Sequence, residues 1–169
     1  GVTGYVGKVN MDRNGGENLQ ESTIESMEET LRWLDLSKRF KYMKPIITPR
    51  FTPSCTNELM EWLGNLANEK DLYVQSHLSE SKSEIEWVKS LHPDCDYYWE
   101  TYNKYGLWKN HTIMAHCVYS DKNEREAIKK TNVVVAHCAD SNINLCSGIC
   151  PVREKLNEGV WVTLGSDIA

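Results

Sequence analysis

Short apolar runs and helical patterns take turns along this chain, and that alternation restricts its fold more than any other feature. The runs are YVGKVN (5–10), KPIIT (44–48), LYVQSH (72–77), TIMAH (112–116), VVVAH (133–137) and VWVTLGSD (160–167). Their β-branched and aromatic residues predict strands. Between the first two lies STIESMEETLRWLDLSKRF (22–40), with Ser22 as N-cap and Glu25 at the capping-box position. Ile24, Met27, Leu31 and Leu34 recur at helical spacing and predict its buried stripe. Thr56 or Ser54 caps NELMEWLGNLANEK (57–70), whose stripe is Leu59, Trp62, Leu63 and Leu66. SKSEIEWVKSLH (81–92) and SDKNEREAIKKT (120–131) predict two more helices. VREKLNEG (152–159) predicts a short one that Gly159 stops. Residues 93–109, rich in Tyr and Trp, read as a loop or short helix over the sheet.

Strand, helix, strand, helix implies a parallel α/β sheet covered by helices. Continuous apolar strands fit a sheet buried on both faces. Polar residues sit at the C-terminal tips of the runs: Asn10, Asp12, Arg50, His77, His116, His137 and Asp167. An open doubly wound sheet gathers ligands only around its switch point. A (β/α)8 TIM-like barrel brings every tip to one face, where its active site lies. The expectation is therefore a partial barrel spanning residues 1–169.

The composition removes several classes. A net charge of −5 offers no basic surface for nucleic acid or an anionic membrane. No apolar run approaches the roughly 20 residues that span a bilayer. GVTGYVGKVN has no signal-peptide layout, so a cytoplasmic location is expected. The six cysteines are read as free thiols in a reducing compartment. Cys117 and Cys138 each follow a histidine at the end of an apolar run, where a thiol serves as a small apolar residue.

His77, His116 and Asp167 end three separate strands. Imidazole nitrogen and carboxylate oxygen are zinc ligands, although iron accepts the same set. A divalent metal there would bring the pKa of a bound water to about 7. Glu80, three residues beyond His77, is placed to move a proton to a substrate nitrogen. Asp167 could take the water's other proton. Taken singly, each residue has a plainer reading: a hydrogen-bonded strand-end histidine, a solvated glutamate, an aspartate capping a turn. The set carries the chemistry. His92 and His111 are read as structural.

The motifs SHLSE, MAHC, HCADSN and LGSD resemble the amidohydrolase superfamily, and within it the guanine deaminases. PIITPRFTPSC (45–55) followed by ELM, and GKVNMDRN (7–14), look like segments of the same family. The resemblance covers nearly the whole chain in the family's order. It implies that His77, His116 and Asp167 bind one zinc ion, and that Glu80 shuttles a proton. It also implies that Arg50 hydrogen-bonds a ring carbonyl and that Phe51 packs on the ring of a purine substrate. His137, Ser141 and Asn142 would play structural or supporting parts, and the enzyme would be a homodimer. Two departures stand out. The family's His-x-His pair is absent, since the five histidines are 77, 92, 111, 116 and 137. Ala139 and Asp140 occupy the part of HCADSN where the family has a proline. The chain is accordingly expected to be an internal piece, about strands three to eight, inactive alone. Alternatives are a hydrolase of another amino-heterocycle and a metal-free barrel relative kept for binding. CSGICP (146–151) superficially resembles a cytidine-deaminase zinc motif, but the spacings His-x-x-Glu and Cys-x-x-x-Cys do not match that type.

Overall fold

A computed structural model describes residues 1–167. It contains β1 (Gly4–Val6), β2 (Val9–Asn10), α1 (Thr23–Ser37), β3 (Met43–Pro49), a 3₁₀ turn (Thr52–Ser54) and α2 (Asn57–Glu69). These are followed by β4 (Tyr73–Leu78), α3 (Lys82–Leu91), α4 (Tyr98–Asn103), β5 (Ile113–His116) and α5 (Lys122–Thr131). The last elements are β6 (Val134–His137), α6 (Ala139–Asn144), α7 (Val152–Asn157) and β7 (Trp161–Leu164). The strands pair in parallel in the order β1-β3-β4-β5-β6-β7, and β2 also pairs with β3. This is an open stretch of (β/α)8 barrel with helices on its outside, as the alternation predicted.

The first run is not one strand. β1 and β2 lie on β3 in a single register, Val6 opposite Pro45 and Val9 opposite Thr48, but the ladder breaks between them. Gly7 occupies the break, where a Cβ would come within 1.8 Å of Thr48 Oγ1 and 2.6 Å of the Ile46 carbonyl oxygen. Pro45 on the facing strand has no N–H to contribute.

Helix α1 has the predicted N-terminus. Ser22 Oγ accepts from Glu25 N at 3.2 Å, and Glu25 Oε2 accepts from Ser22 N at 2.9 Å. Its buried stripe, however, is Ser26, Thr30, Leu34 and Ser37, while Ile24 and Leu31 are exposed. The cause is Asn10, fully buried at the tip of β2. Its Nδ2 donates to Ser26 Oγ at 2.9 Å and to Thr30 Oγ1 at 2.7 Å. A buried amide must be paired, so a polar stripe faces inward. Helix α2 follows its prediction: Thr56 caps it, and Leu59, Met60, Leu63 and Ala67 are fully buried. Burying each of the larger side chains is worth about 1.5–3 kcal/mol. The aromatic segment contributes α4, whose Tyr98 and Tyr102 join the core with Leu107 and Trp108.

The expectation of strands buried on both faces holds for Ile46–Pro49 of β3 and fails for β4. In β4 the residues alternate: Val74, Ser76 and Leu78 are buried, while Tyr73, Gln75 and His77 are half-buried. Helices cover only one face. β1 and β7 do not pair among the described residues, so the other face stays open. All six cysteines are thiols, and all but Cys146 are buried. No helix among the described residues is long and apolar enough to cross a membrane.

Candidate active site

The strands leave the sheet through strained backbone. Ser79, His116, Cys117 and Asp167 have φ of 47°, 70°, 49° and 50°. A non-glycine residue in such a region costs about 1–3 kcal/mol and persists only where surrounding contacts hold it. Its effect is clearest at His116. Strand parity would send this side chain to the helix side with Met114. Instead its ring stacks on His77, 5.2 Å between centroids and 20° between planes.

Both imidazoles are anchored through one nitrogen. His77 Nδ1 is hydrogen-bonded to the Arg50 carbonyl oxygen. His116 Nδ1 pairs with Asn142 Oδ1 at 2.8 Å. A carbonyl oxygen only accepts, so each Nδ1 carries a proton and each Nε2 is the nitrogen turned toward the site. Desolvation pushes the His77 pKa below the ordinary imidazole value, with the Arg50 carbonyl opposing it, which favours the neutral ring. His116 Nε2 is buried without a hydrogen-bond partner. It lies 3.7 Å from Glu80 Oε2 and 3.9 Å from Asp167 Oδ2.

Each carboxylate has a hydroxyl partner. Ser147 Oγ donates to Glu80 Oε1 at 2.8 Å, and Ser141 Oγ donates to Asp167 Oδ2 at 2.6 Å. The backbone N–H of Glu80 donates to Glu84 Oε2 at 2.9 Å. Burial pushes the Glu84 carboxyl above its ordinary value, while hydrogen bonds from Tyr98, Glu80 and Ser81 oppose this. Beside them, the Arg50 guanidinium lies 5.3 Å from the Phe51 ring centre. Phe51 meets His77 edge-on at 6.3 Å and Trp87 at 6.0 Å. A cleft of about 470 Å³ runs between Phe51, Glu80, Ser81, Glu84 and Trp87.

The structure thus brings together His77, His116, Glu80, Asp167, Arg50 and Phe51. Asn10 and Asp12 belong elsewhere. Asp12 accepts from Thr56 N at 2.7 Å, Thr56 Oγ1 at 2.6 Å and Thr23 Oγ1 at 2.8 Å, tying α1 to α2. The His137 carbonyl accepts from Gly165 N at 3.0 Å, and its Nδ1 is buried without a partner.

The donor chemistry fits a divalent metal. Two imidazoles present Nε2, and outer hydrogen bonds at Nδ1 fix their orientation, as is usual for metal-bound histidine. Among the described residues no group of three His, Cys, Asp or Glu side chains meets at ligating distance. The rings lie face to face instead of converging, and the sequence supplies no His-x-His pair to complete the set.

The amidohydrolase family model matches residues 1–169. The chain belongs to the amidohydrolase family. It is 44% identical over 171 residues to guanine deaminase from Dictyostelium discoideum, with all of this chain and 38% of that protein aligned. Among solved structures, it superposes on guanine deaminase from C. acetobutylicum with bound guanine in the active site. There the TM-score is 0.94 at 52% identity, covering 98% of this chain and 40% of that one. An adenosine deaminase from Xanthomonas campestris with bound zinc shares the fold at 21% identity. Its TM-score is 0.86, and the match covers 97% of this chain and 36% of that one. The chain therefore spans about 38% of the length of the curated amidohydrolase relative it matches.

Sequence reasoning missed Ser147, Tyr102 and Glu84. Ser147 lies in CSGICP, between two cysteines. Its Ser-Gly dipeptide, a turn signal, was the available clue. Glu84 could have been found as the capping-box partner of Ser81 three residues before it.

Proposed function

We propose that these 169 residues form the purine-binding and metal-binding part of a guanine deaminase, converting guanine and water to xanthine and ammonia. The observation that carries this reading is the convergence of Glu80 and Asp167 on the unpartnered Nε2 of His116. The similarity to a relative with bound guanine supports the substrate. His77, His116 and Asp167 would hold the metal, zinc before iron, with further ligands from outside this chain. When bound, the metal supplies a water that is acidic at neutral pH.

The residues of this chain do the rest. Arg50 hydrogen-bonds the ring carbonyl and Phe51 packs on the ring, so that C2 faces the water. Glu80 takes one proton of the water and delivers it to a ring nitrogen as the water oxygen attacks C2, and Asp167 takes the water's other proton. Asp167 then passes that proton to the amino group, the C2–N bond breaks to release ammonia, and the ring keeps the oxygen. The whole protein is proposed to be a cytoplasmic homodimer.

The test uses the full-length protein that contains this chain. It is incubated with guanine, adenine, cytosine and an aminotriazine while ammonia and the ring product are followed. Elemental analysis counts its metal. Xanthine formed from guanine in preference to the others, with stoichiometric zinc or iron, is expected. A preference for adenine would remove the guanine assignment. Absence of both metal and ammonia release would favour a binding relative.

A further inference from the structure

We infer that Ser147 is a positioning residue that sets the rotamer of Glu80, and that the stretch from Ser141 to Gly148 holds three of the groups at the centre of the site: His116, Asp167 and Glu80. Ser147 is buried, and its Oγ donates to Glu80 Oε1 at 2.8 Å across 67 residues of sequence. Tying Oε1 leaves Oε2 as the oxygen that faces His116 Nε2 at 3.7 Å. Glu80 thereby has one oxygen fixed and one free for proton transfer.

The loop that presents Ser147 is itself constrained. Cys146 has φ of 55° and Gly148 φ of 133°. That backbone at Gly148 favours glycine, and a Cβ there would also crowd Tyr119 Oη at 2.7 Å. Ser147 N donates to the Asn142 carbonyl at 2.8 Å, while Asn142 Oδ1 holds His116 Nδ1 at 2.8 Å. One residue earlier, Ser141 Oγ holds Asp167 at 2.6 Å. A single short segment therefore fixes the imidazole through Asn142, one carboxylate through Ser141 and the other through Ser147. A surface-loop serine kept for solubility would not be buried against a carboxylate from another strand-end loop.

The inference rests on the guanine deaminase reading, and its test is separable from it. Ser147→Ala, Ser147→Thr, Glu80→Gln and the Ser147→Ala/Glu80→Gln double variant are made in the full-length protein. Thermal melting shows which of them fold. Ser147→Ala is expected to lower kcat about 10- to 100-fold, the range for losing a hydrogen bond to a charged group, with KM within about twofold. Ser147→Thr, which keeps the hydroxyl, is expected to recover most of kcat. In single-turnover measurements the double variant should be no slower than Glu80→Gln, since Ser147 acts only through Glu80. A Ser147→Ala enzyme with wild-type kcat, or a full further loss on the Glu80→Gln background, would overturn the positioning role. A wild-type protein inactive on guanine would overturn the functional reading instead.

Discussion

Tyr102 ties the tip of β4 to the turn after β3, and Tyr102→Phe isolates its hydroxyl. The residue is fully buried on α4, its ring stacked on Tyr98 at 5.9 Å and 17°. Phenylalanine keeps that stack and leaves no cavity. The hydroxyl donates to the His77 carbonyl at 2.7 Å, accepts from Thr52 N at 3.2 Å and lies 2.9 Å from Ser76 Oγ. Thr52 immediately follows Arg50 and Phe51, and His77 ends β4. The substitution therefore strands a buried N–H and deprives a strand-tip carbonyl of its donor. At about 1–3 kcal/mol for a buried group left unsatisfied, the combined loss is about 2–4 kcal/mol. Equilibrium urea unfolding of the full-length protein measures it as a lower midpoint at unchanged slope. The loosened Arg50–Phe51 turn should also raise KM for guanine more than it lowers kcat. Stability within about 0.5 kcal/mol of wild type, the scatter of ordinary surface changes, would refute the reasoning.

Two other perturbations have signs fixed by the structure. Gly64→Ala places a Cβ 1.6 Å from the Tyr105 carbonyl oxygen, a backbone atom that cannot swing aside. The helix-propensity gain of about 1 kcal/mol is then outweighed by overpacking, and a net loss of about 2 kcal/mol is expected; a rise in the melting temperature would contradict it. Glu124 on α5 is pushed up to about 7 from an ordinary 4.5, chiefly by burial. Its folded form holds the proton more tightly than the unfolded chain does. This contribution is fully present below about pH 4.5, falls as pH rises through about 7, and amounts to about 3 kcal/mol. Glu124→Gln should flatten the stability profile across that window, and an unchanged slope would show that another group is responsible.

Much of the frame was legible because it rests on periodicity. The alternation of runs and helices, the Ser22–Glu25 box, the Thr56 cap and the α2 stripe all follow from local rules and survive in the structure. Where the pattern failed, a distant residue had intervened. Hydrophobic spacing put Ile24 and Leu31 inside α1, yet the amide of Asn10 needed Ser26 and Thr30 facing it. No window of sequence contains both partners. The same holds for the burial of β4: apolar runs state what a strand can bury, and only the pairing order shows that one face is open.

The candidate site divides along a similar line. Its candidate groups were visible because strand tips in a barrel converge and the motifs name them. HCADSN also named Ser141 and Asn142 as supporting groups, but Ser147 and the aim itself were hidden, because aiming depends on left-handed backbone at non-glycine residues. Ser79, His116, Cys117, Cys146 and Asp167 all lie in that region, and their motifs name the residues without marking this conformation. Each would relax toward an ordinary conformation if its neighbours released it. The hydrogen bonds from Ser141, Asn142 and Ser147 to Asp167, His116 and Glu80 oppose that relaxation, because each ties a residue on or beside a strained exit to a second segment. The strain and the supporting shell form one device, in which a few kcal/mol of backbone cost turn His116 away from the helices and toward His77 and the two carboxylates.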